Sequence, residues 1–331
     1  MQSHLRRREF LGYAAAAAAA GTVSELGEMS ALMAADVKSQ VDLPICDTHH
    51  HLWDLARFDL PWTKTPGVEK LAKSFLMPDY LQAIRGLNVV SSVYMEVDVH
   101  PSQQTKEAEY VIDLCQRGDS PMRAAVISGR PGEKAFRPYI TGLAKSPFIK
   151  GVRQVLHVES TPPGTCTTPQ FVEGVKLLGE LKLCFDLCMR SDDLADAVKL
   201  VDLCPGTRFV LDHCGDLSVR EKDPQKRAAW KKNIHELAQR EHVLCKISGI
   251  VASADPQNWT PDDLAPIVNT CLQEFGPQRV MFGGDWPVCT LASSYKQWVE
   301  ALRTIVRERP LAEQRLLFHD NAVKFYGLTT A

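Results

Sequence analysis

From residue 41 onward the chain alternates between two apolar patterns. Short runs with little polar interruption recur at Ile45 to His49, Val89 to Glu96, Arg123 to Ser128, Ile149 to Leu156, Leu183 to Met189, Arg208 to His213, Val243 to Ile250 and Arg279 to Gly284. Rich in Val, Ile, Leu, Phe and Cys, they have the near-continuous apolar character of strands buried on both faces. Between them lie stretches with helical spacing: Pro78 to Leu87, Gln104 to Cys115, Thr168 to Leu181, Ser191 to Leu203, Arg227 to Arg240, Pro261 to Phe275 and Tyr295 to Arg307. Several open on a capping residue or an early proline, as in Thr168-Pro169, Ser191-Asp192-Asp193 and Thr260-Pro261-Asp262-Asp263. Strand and helix alternating in this way predict an α/β fold, a (β/α)8 TIM-type barrel, for which roughly 250 residues is typical. A doubly wound sheet is the alternative. The segment Asp54 to Met77 has little periodicity and follows the first strand, so in a barrel it would lie over the C-terminal mouth.

The first forty residues are a different material. Arg6-Arg7-Arg8-Glu9-Phe10-Leu11 precedes an uninterrupted alanine run from Ala14 to Ala20 and then a polar stretch of small residues. This order of charge, apolar run and small residues reads as a twin-arginine-type export signal. Residues 1–40 are therefore expected to be a leader handled by the twin-arginine export machinery, and residues 41–331 a single barrel domain with a periplasmic or extracytoplasmic destination. The apolar part is too short for stable membrane insertion, which needs roughly 20 apolar residues.

Composition narrows the function further. The 331 residues are 45% hydrophobic and 24% charged, with a formal net charge of -2, which offers no broad electrostatic attraction for nucleic acid. A small molecule is the expected partner. The ten cysteines sit largely inside apolar runs with no Cys-x-x-Cys pair, so they are read as buried small hydrophobes without an essential disulfide.

In a barrel the reacting groups come from the C-terminal ends of strands, and here those ends are polar. The first run leads into Asp47-Thr48-His49-His50-His51-Leu52-Trp53. By strict alternation Asp47, His49 and His51 share one face, and Thr48 and His50 the other, so two imidazoles can converge on one metal ion or one substrate. The fourth run holds Arg153 and leads to His157; the sixth leads into Asp212-His213-Cys214-Gly215, the seventh holds Lys246, and the eighth leads into Gly283-Gly284-Asp285-Trp286-Pro287. A cation in an apolar strand needs a buried partner, which for Arg153 and Lys246 is either a substrate group or Asp186 or Asp212. His157 and Glu96 have the same two readings, and Trp53, Trp62 and Trp286 either line a pocket or cap the core.

Taken together, four of these stretches resemble the amidohydrolase superfamily, in its amidohydrolase-2 branch of sugar-lactone and pyrone-dicarboxylate lactonases and metal-dependent decarboxylases. They are Asp47 to Trp53, Leu211 to Gly215, Cys245 to Gly249 and Phe282 to Pro287, and the resemblance spans about residues 43 to 328. It implies that His49 and His51 are the paired strand-one histidines, His213 the strand-six histidine and Asp285 the strand-eight carboxylate. Asp285 would take a proton from water attacking an ester carbonyl, and Asp285 or His213 would protonate the departing oxygen. The resemblance also implies a divalent metal, zinc first, held by His49, His51 and Asp285. Strand five, however, reads Leu183-Cys184-Phe185-Asp186-Leu187-Cys188-Met189 without the histidine that many metal-dependent relatives place there, so metal-free hydrolysis stays open. The expected activity is opening of a cyclic ester, such as an aldonolactone derived from rhamnose or fucose, with Arg153, Lys246, His157, Trp53 and Trp286 as substrate contacts. A metal-dependent decarboxylase acting on an organic acid and a non-catalytic carbohydrate-binding barrel are the alternatives.

Overall fold

In the computed structural model residues 43–329 are described, and the leader read in residues 1–40 lies outside them. Eight strands form one parallel sheet in the order β1 to β8: β1 (Ile45–His50), β2 (Val89–Met95), β3 (Met122–Ser128), β4 (Ile149–Val155), β5 (Cys184–Cys188), β6 (Arg208–Leu211), β7 (Val243–Ile247) and β8 (Val280–Phe282). Each is followed by a helix: α1 (Met77–Ala83), α2 (Gln104–Arg117), α3 (Phe136–Leu143), α4 (Pro169–Glu180), α5 (Leu194–Leu203), α6 (Pro224–Ala238), α7 (Pro261–Phe275) and α8 (Tyr295–Val306). Two short helices close the described chain, α9 (Leu311–Arg315) and α10 (Asn321–Tyr326). This is the (β/α)8 barrel.

The helix starts follow from local chemistry. At α7 the Thr260 N–H donates to Asp263 Oδ2 at 2.7 Å, and at α8 Ser294 and Gln297 cap each other, the reciprocal pairing that satisfies first-turn amides. Helix α3 carries Pro138 and Gly142, which dilute its periodicity and explain why the pattern of apolar positions does not pick it out.

Strands β6, β7 and β8 stop earlier than their apolar runs. The ladder ends two or three residues before the backbone turns left-handed, at His213 (φ 52), Gly249 (φ 70) and Asp285 (φ 50). A residue in that region cannot continue a pleated strand, whatever its hydrophobicity.

Inside the barrel the side chains stack in layers. The lowest contains Cys46, Val93, Met95, Ala124, Val126, Cys184, Val210 and Met281, closed beneath by Ala322, Phe325, Tyr326 and Leu328 around α10. Above it the inward positions become ionic, with Arg153, Asp186, Asp212 and Lys246 all buried. Gly151 on β4 is required by this crowding, since a Cβ there would stand 2.3 Å from Cys184 Sγ.

Strand β1 departs from strict alternation. Its pairing with β2 runs Asp47 to Ser92 and then His50 to Tyr94, three residues against two, which is a β-bulge. Cys46 faces the barrel interior and Asp47 the helical layer, where its Oδ2 accepts from Tyr80 Oη at 2.8 Å and Tyr295 Oη at 3.0 Å. The extra residue then returns His49 and His51 to the interior. The expected common face of Asp47, His49 and His51 therefore holds for the two histidines and fails for Asp47.

The barrel closes between β8 and β1 without a regular ladder. The Asp285 N–H donates to His49 O at 2.6 Å and the His51 N–H to Trp286 O at 2.7 Å. Side chains supply the rest: Thr48 Oγ1 donates to Phe282 O at 2.6 Å and the Gly284 N–H to Asp47 Oδ1 at 2.8 Å. All ten cysteines are buried and unbridged. Among the described residues no helix is long and apolar enough to cross a membrane.

Candidate active site

At the C-terminal mouth four of the sequence-predicted residues meet. His51 Nε2 lies 3.3 Å from Asp285 Oδ1 and His49 Nε2 lies 3.7 Å from the same oxygen. The His49 ring centre is 5.0 Å from that of His51 and 4.5 Å from that of His213. His51 Nδ1 sits 3.0 Å from Met95 O and 3.1 Å from Glu96 O, so its proton is held there and its Nε2 lone pair faces Asp285. His213 Nδ1 lies 3.0 Å from Ser248 Oγ. Gly249 makes room for that imidazole, because a Cβ at its position would fall 2.1 Å from His213 Nδ1.

The electrostatics are set by burial. Burial pushes the Asp285 carboxyl up to about 6, against the opposing pull of His213 and Arg153. Burial also lowers His49 and His213, and brings His51 down to about 4 with help from the Arg153 charge, so all three imidazoles are neutral near pH 7.

Beneath them lies an ionic network. Arg153 donates through Nε to Glu96 Oε1 at 2.7 Å and through Nη2 to Glu96 O at 2.7 Å, while its Nη1 reaches His49 Nε2 at 3.3 Å and Asp212 Oδ2 at 3.6 Å. Lys246 Nζ binds Asp186 Oδ2 at 2.5 Å and Asp212 Oδ1 at 3.2 Å. Asp212 Oδ1 in turn lies 3.4 Å from His49 Nδ1. Burial alone would raise the Asp212 carboxyl, yet Lys246 and His49 hold it well below the usual range. Asp212, read in the sequence only as a partner for the cations, thus orients His49. The signal for that role was its place directly before His213.

The cavity above this floor has a volume of about 380 Å³ and is lined by His51, His213, Asp285, Arg153, His157 and Trp53 among others. Two expected substrate contacts sit elsewhere. Lys246 is fully buried on its two carboxylates, and Trp286 packs its ring against Phe75 and Tyr80, at 5.4 and 5.5 Å between centres, outside the cavity lining. His157 lines the cavity and its Nδ1 lies 3.7 Å from Asp216 Oδ2, a residue the sequence reading passed over. His50 stacks on Tyr80 at 4.3 Å, away from the cavity.

His49, His51 and Asp285 offer one ligand atom each within 4.8 Å of one another. Two neutral imidazoles and a carboxylate, one imidazole backed by Asp212 and the other by backbone carbonyls, match the donor chemistry of a three-ligand zinc site. An ion there would displace the hydrogen bond that Arg153 gives His49. The residues therefore fit a divalent metal.

Residues 46–328 match the amidohydrolase family model. The chain is 28% identical to L-fucono-1,5-lactonase of Burkholderia multivorans over 289 residues, which is 85% of this chain and 95% of that one. A crystal structure of an amidohydrolase from Burkholderia multivorans with bound zinc superposes with a TM-score of 0.77 at 26% identity, covering 86% of this chain and all of its own. 5-Carboxyvanillate decarboxylase of Sphingomonas paucimobilis, at 14% identity, a TM-score of 0.60 and coverage of 87% of this chain and all of its own, shares the fold. The chain belongs to the amidohydrolase family.

Proposed function

We propose that this amidohydrolase opens the ring ester of a lactone, with Asp285 as the base that activates water. The observation that carries this reading is the carboxylate of Asp285, raised by burial into the range of a working base and set among three neutral imidazoles at the mouth. The lactonase relative supports a cyclic ester as the reacting group and aldonolactones as the first substrates to try.

Asp285 takes a proton from water as its oxygen bonds to the carbonyl carbon. Arg153 Nη1, at the cavity floor, stabilises the developing oxyanion. When the tetrahedral species collapses, the ring C–O bond breaks and the proton passes from Asp285, or through His213, to the departing alkoxide. Asp212 keeps His49 in place while Lys246 keeps Asp212 ionised; neither touches substrate. A divalent ion on His49, His51 and Asp285 would supply Lewis-acid polarisation of the carbonyl.

The test is proton release over a panel of lactones with wild-type protein and Asp285→Asn, on metal-analysed samples with and without chelator. Wild type should open at least one lactone, and the variant should lose roughly 10²- to 10⁴-fold in kcat. Absence of any lactone turnover removes the reading, and a variant of near-normal rate removes Asp285 from the role of base. If a metal takes part, chelation should abolish turnover and zinc should restore it. The arginine-rich leader adds export of the folded protein to the proposal, checked by a shortened chain in the periplasmic fraction.

A further inference from the structure

The floor of the cavity is polar, but its walls are not. The segment after β1 contributes Trp62, Val68 and Leu71, and the turn after β8 contributes Val288 and Leu291; Leu217 and Ile250 face them from the turns after β6 and β7. Several polar side chains in the lining are committed to protein partners, while His157 and Asp216, 3.7 Å apart and partly exposed, stay open to a ligand. Trp62 Nε1 donates to Val97 O at 2.8 Å, so only its ring remains for a ligand. Ser253 Oγ donates to Ile250 O at 2.9 Å and accepts from the Val219 N–H at 3.0 Å, and Asp98 is paired with Arg130 at 2.8 Å. The lining includes one Lys or Arg, Arg153, which is held on Glu96, against the carboxylates of Asp216 and Asp285, Asp98 being neutralised by Arg130.

These walls suit two kinds of ring substituent less well than a third. A chain of hydroxyls would run along Trp62, Val68, Leu71, Val288 and Leu291 with only His157 and Asp216 as open polar partners, and a carboxylate or sulfonate would face the carboxylates of Asp216 and Asp285. An apolar group loses nothing on entering and gains from leaving water. We infer that the substrate is a lactone carrying an alkyl or aryl substituent larger than a methyl group, its ester on the polar floor and its substituent between Trp62, Leu71, Leu291 and Ile250. This rests on the lactonase reading and narrows it.

A series of six-membered lactones bearing methyl, propyl or pentyl on the carbinol carbon tests the inference, with an aldonolactone of the same ring size alongside. With wild-type protein kcat/KM should rise roughly two- to fourfold for each added methylene that is buried. Leu291→Ser should shrink the pentyl-to-methyl ratio. Hydrolysis that is flat or falling along the series, or that favours the aldonolactone over the pentyl compound, overturns the apolar-substituent inference and leaves the lactonase reading standing. Failure to open any lactone in any arm overturns both.

Discussion

The barrel interior is two materials stacked on one axis. Its lower layer, from Cys46 through Met281, is entirely apolar and is sealed by Phe325 and Tyr326. Its upper layers bury Arg153, Lys246, Asp186 and Asp212, with His49 and Asp285 above them. The lower plug gains stability from every methylene it removes from water. The ionic layer gains little net stability, because desolvation offsets most of the attraction, yet each charge depends on its partners staying in place. Stability is thus concentrated below and orientation above, and the two should fail differently when cut.

The sharpest break is Asp285→Asn. Asparagine tolerates the left-handed backbone at this position and keeps the backbone N–H hydrogen bond to His49 O, so the fold should persist while turnover falls by several powers of ten. Circular dichroism alongside kinetics checks that division.

Next is Lys246→Met, which leaves buried Asp186 without its cation and Asp212 with only Arg153 at 3.6 Å. The expected cost is about 3–5 kcal/mol in urea unfolding. A variant that unfolds like wild type would show that the ionic layer does not depend on its pairing.

In the lower plug, Met281→Ala should cost about 2–5 kcal/mol through lost burial and a cavity. Here kcat should stay within a few-fold of wild type at temperatures well below unfolding. Loss of activity without loss of stability would dissolve the contrast between layers.

The gentlest effect at any single pH step concerns a group beside the ionic layer. Burial and the nearby Glu96 push Glu107 up to about 8, and Glu107 Oε1 accepts from Tyr94 Oη and the Val97 N–H, each at 2.9 Å. Between the ordinary glutamate value and about 8 the folded state keeps a proton that the unfolded chain releases. Stability contributed by this group is full at low pH and declines as pH rises through that window, by at most about 1.4 kcal/mol per pH unit. Glu107→Gln should flatten the decline in unfolding free energy measured across that range. An unchanged slope would assign the proton elsewhere.

The same contrast explains what could be read without coordinates. Strands buried on both faces announce themselves as apolar runs, and polar residues at their ends mark the mouth, so His49, His51, His213 and Asp285 were legible. The ends of β6 to β8 were not, because the apolar runs continue two or three residues past the last ladder-paired residues, Leu211, Ile247 and Phe282. The outward turn of Asp47 was hidden for a related reason: a bulge is a matter of pairing between strands, and alternation along one strand carries no record of it. Lys246 was readable as a buried cation, but only neighbours brought in from β5 and β6 decide between substrate and Asp186 with Asp212.

The seam between β8 and β1 has a further consequence. Part of its bonding is carried by the side chains of Asp47 and Thr48, and its two backbone bonds flank the reacting carboxylate. Such a junction is where a closed cylinder would breathe first, so the amide protons of His51 and Asp285 should exchange with solvent sooner than those in the β3–β4 ladder. A ligand seated on the floor would clasp both sides of the seam, and its arrival should register as slowed exchange at these two amides.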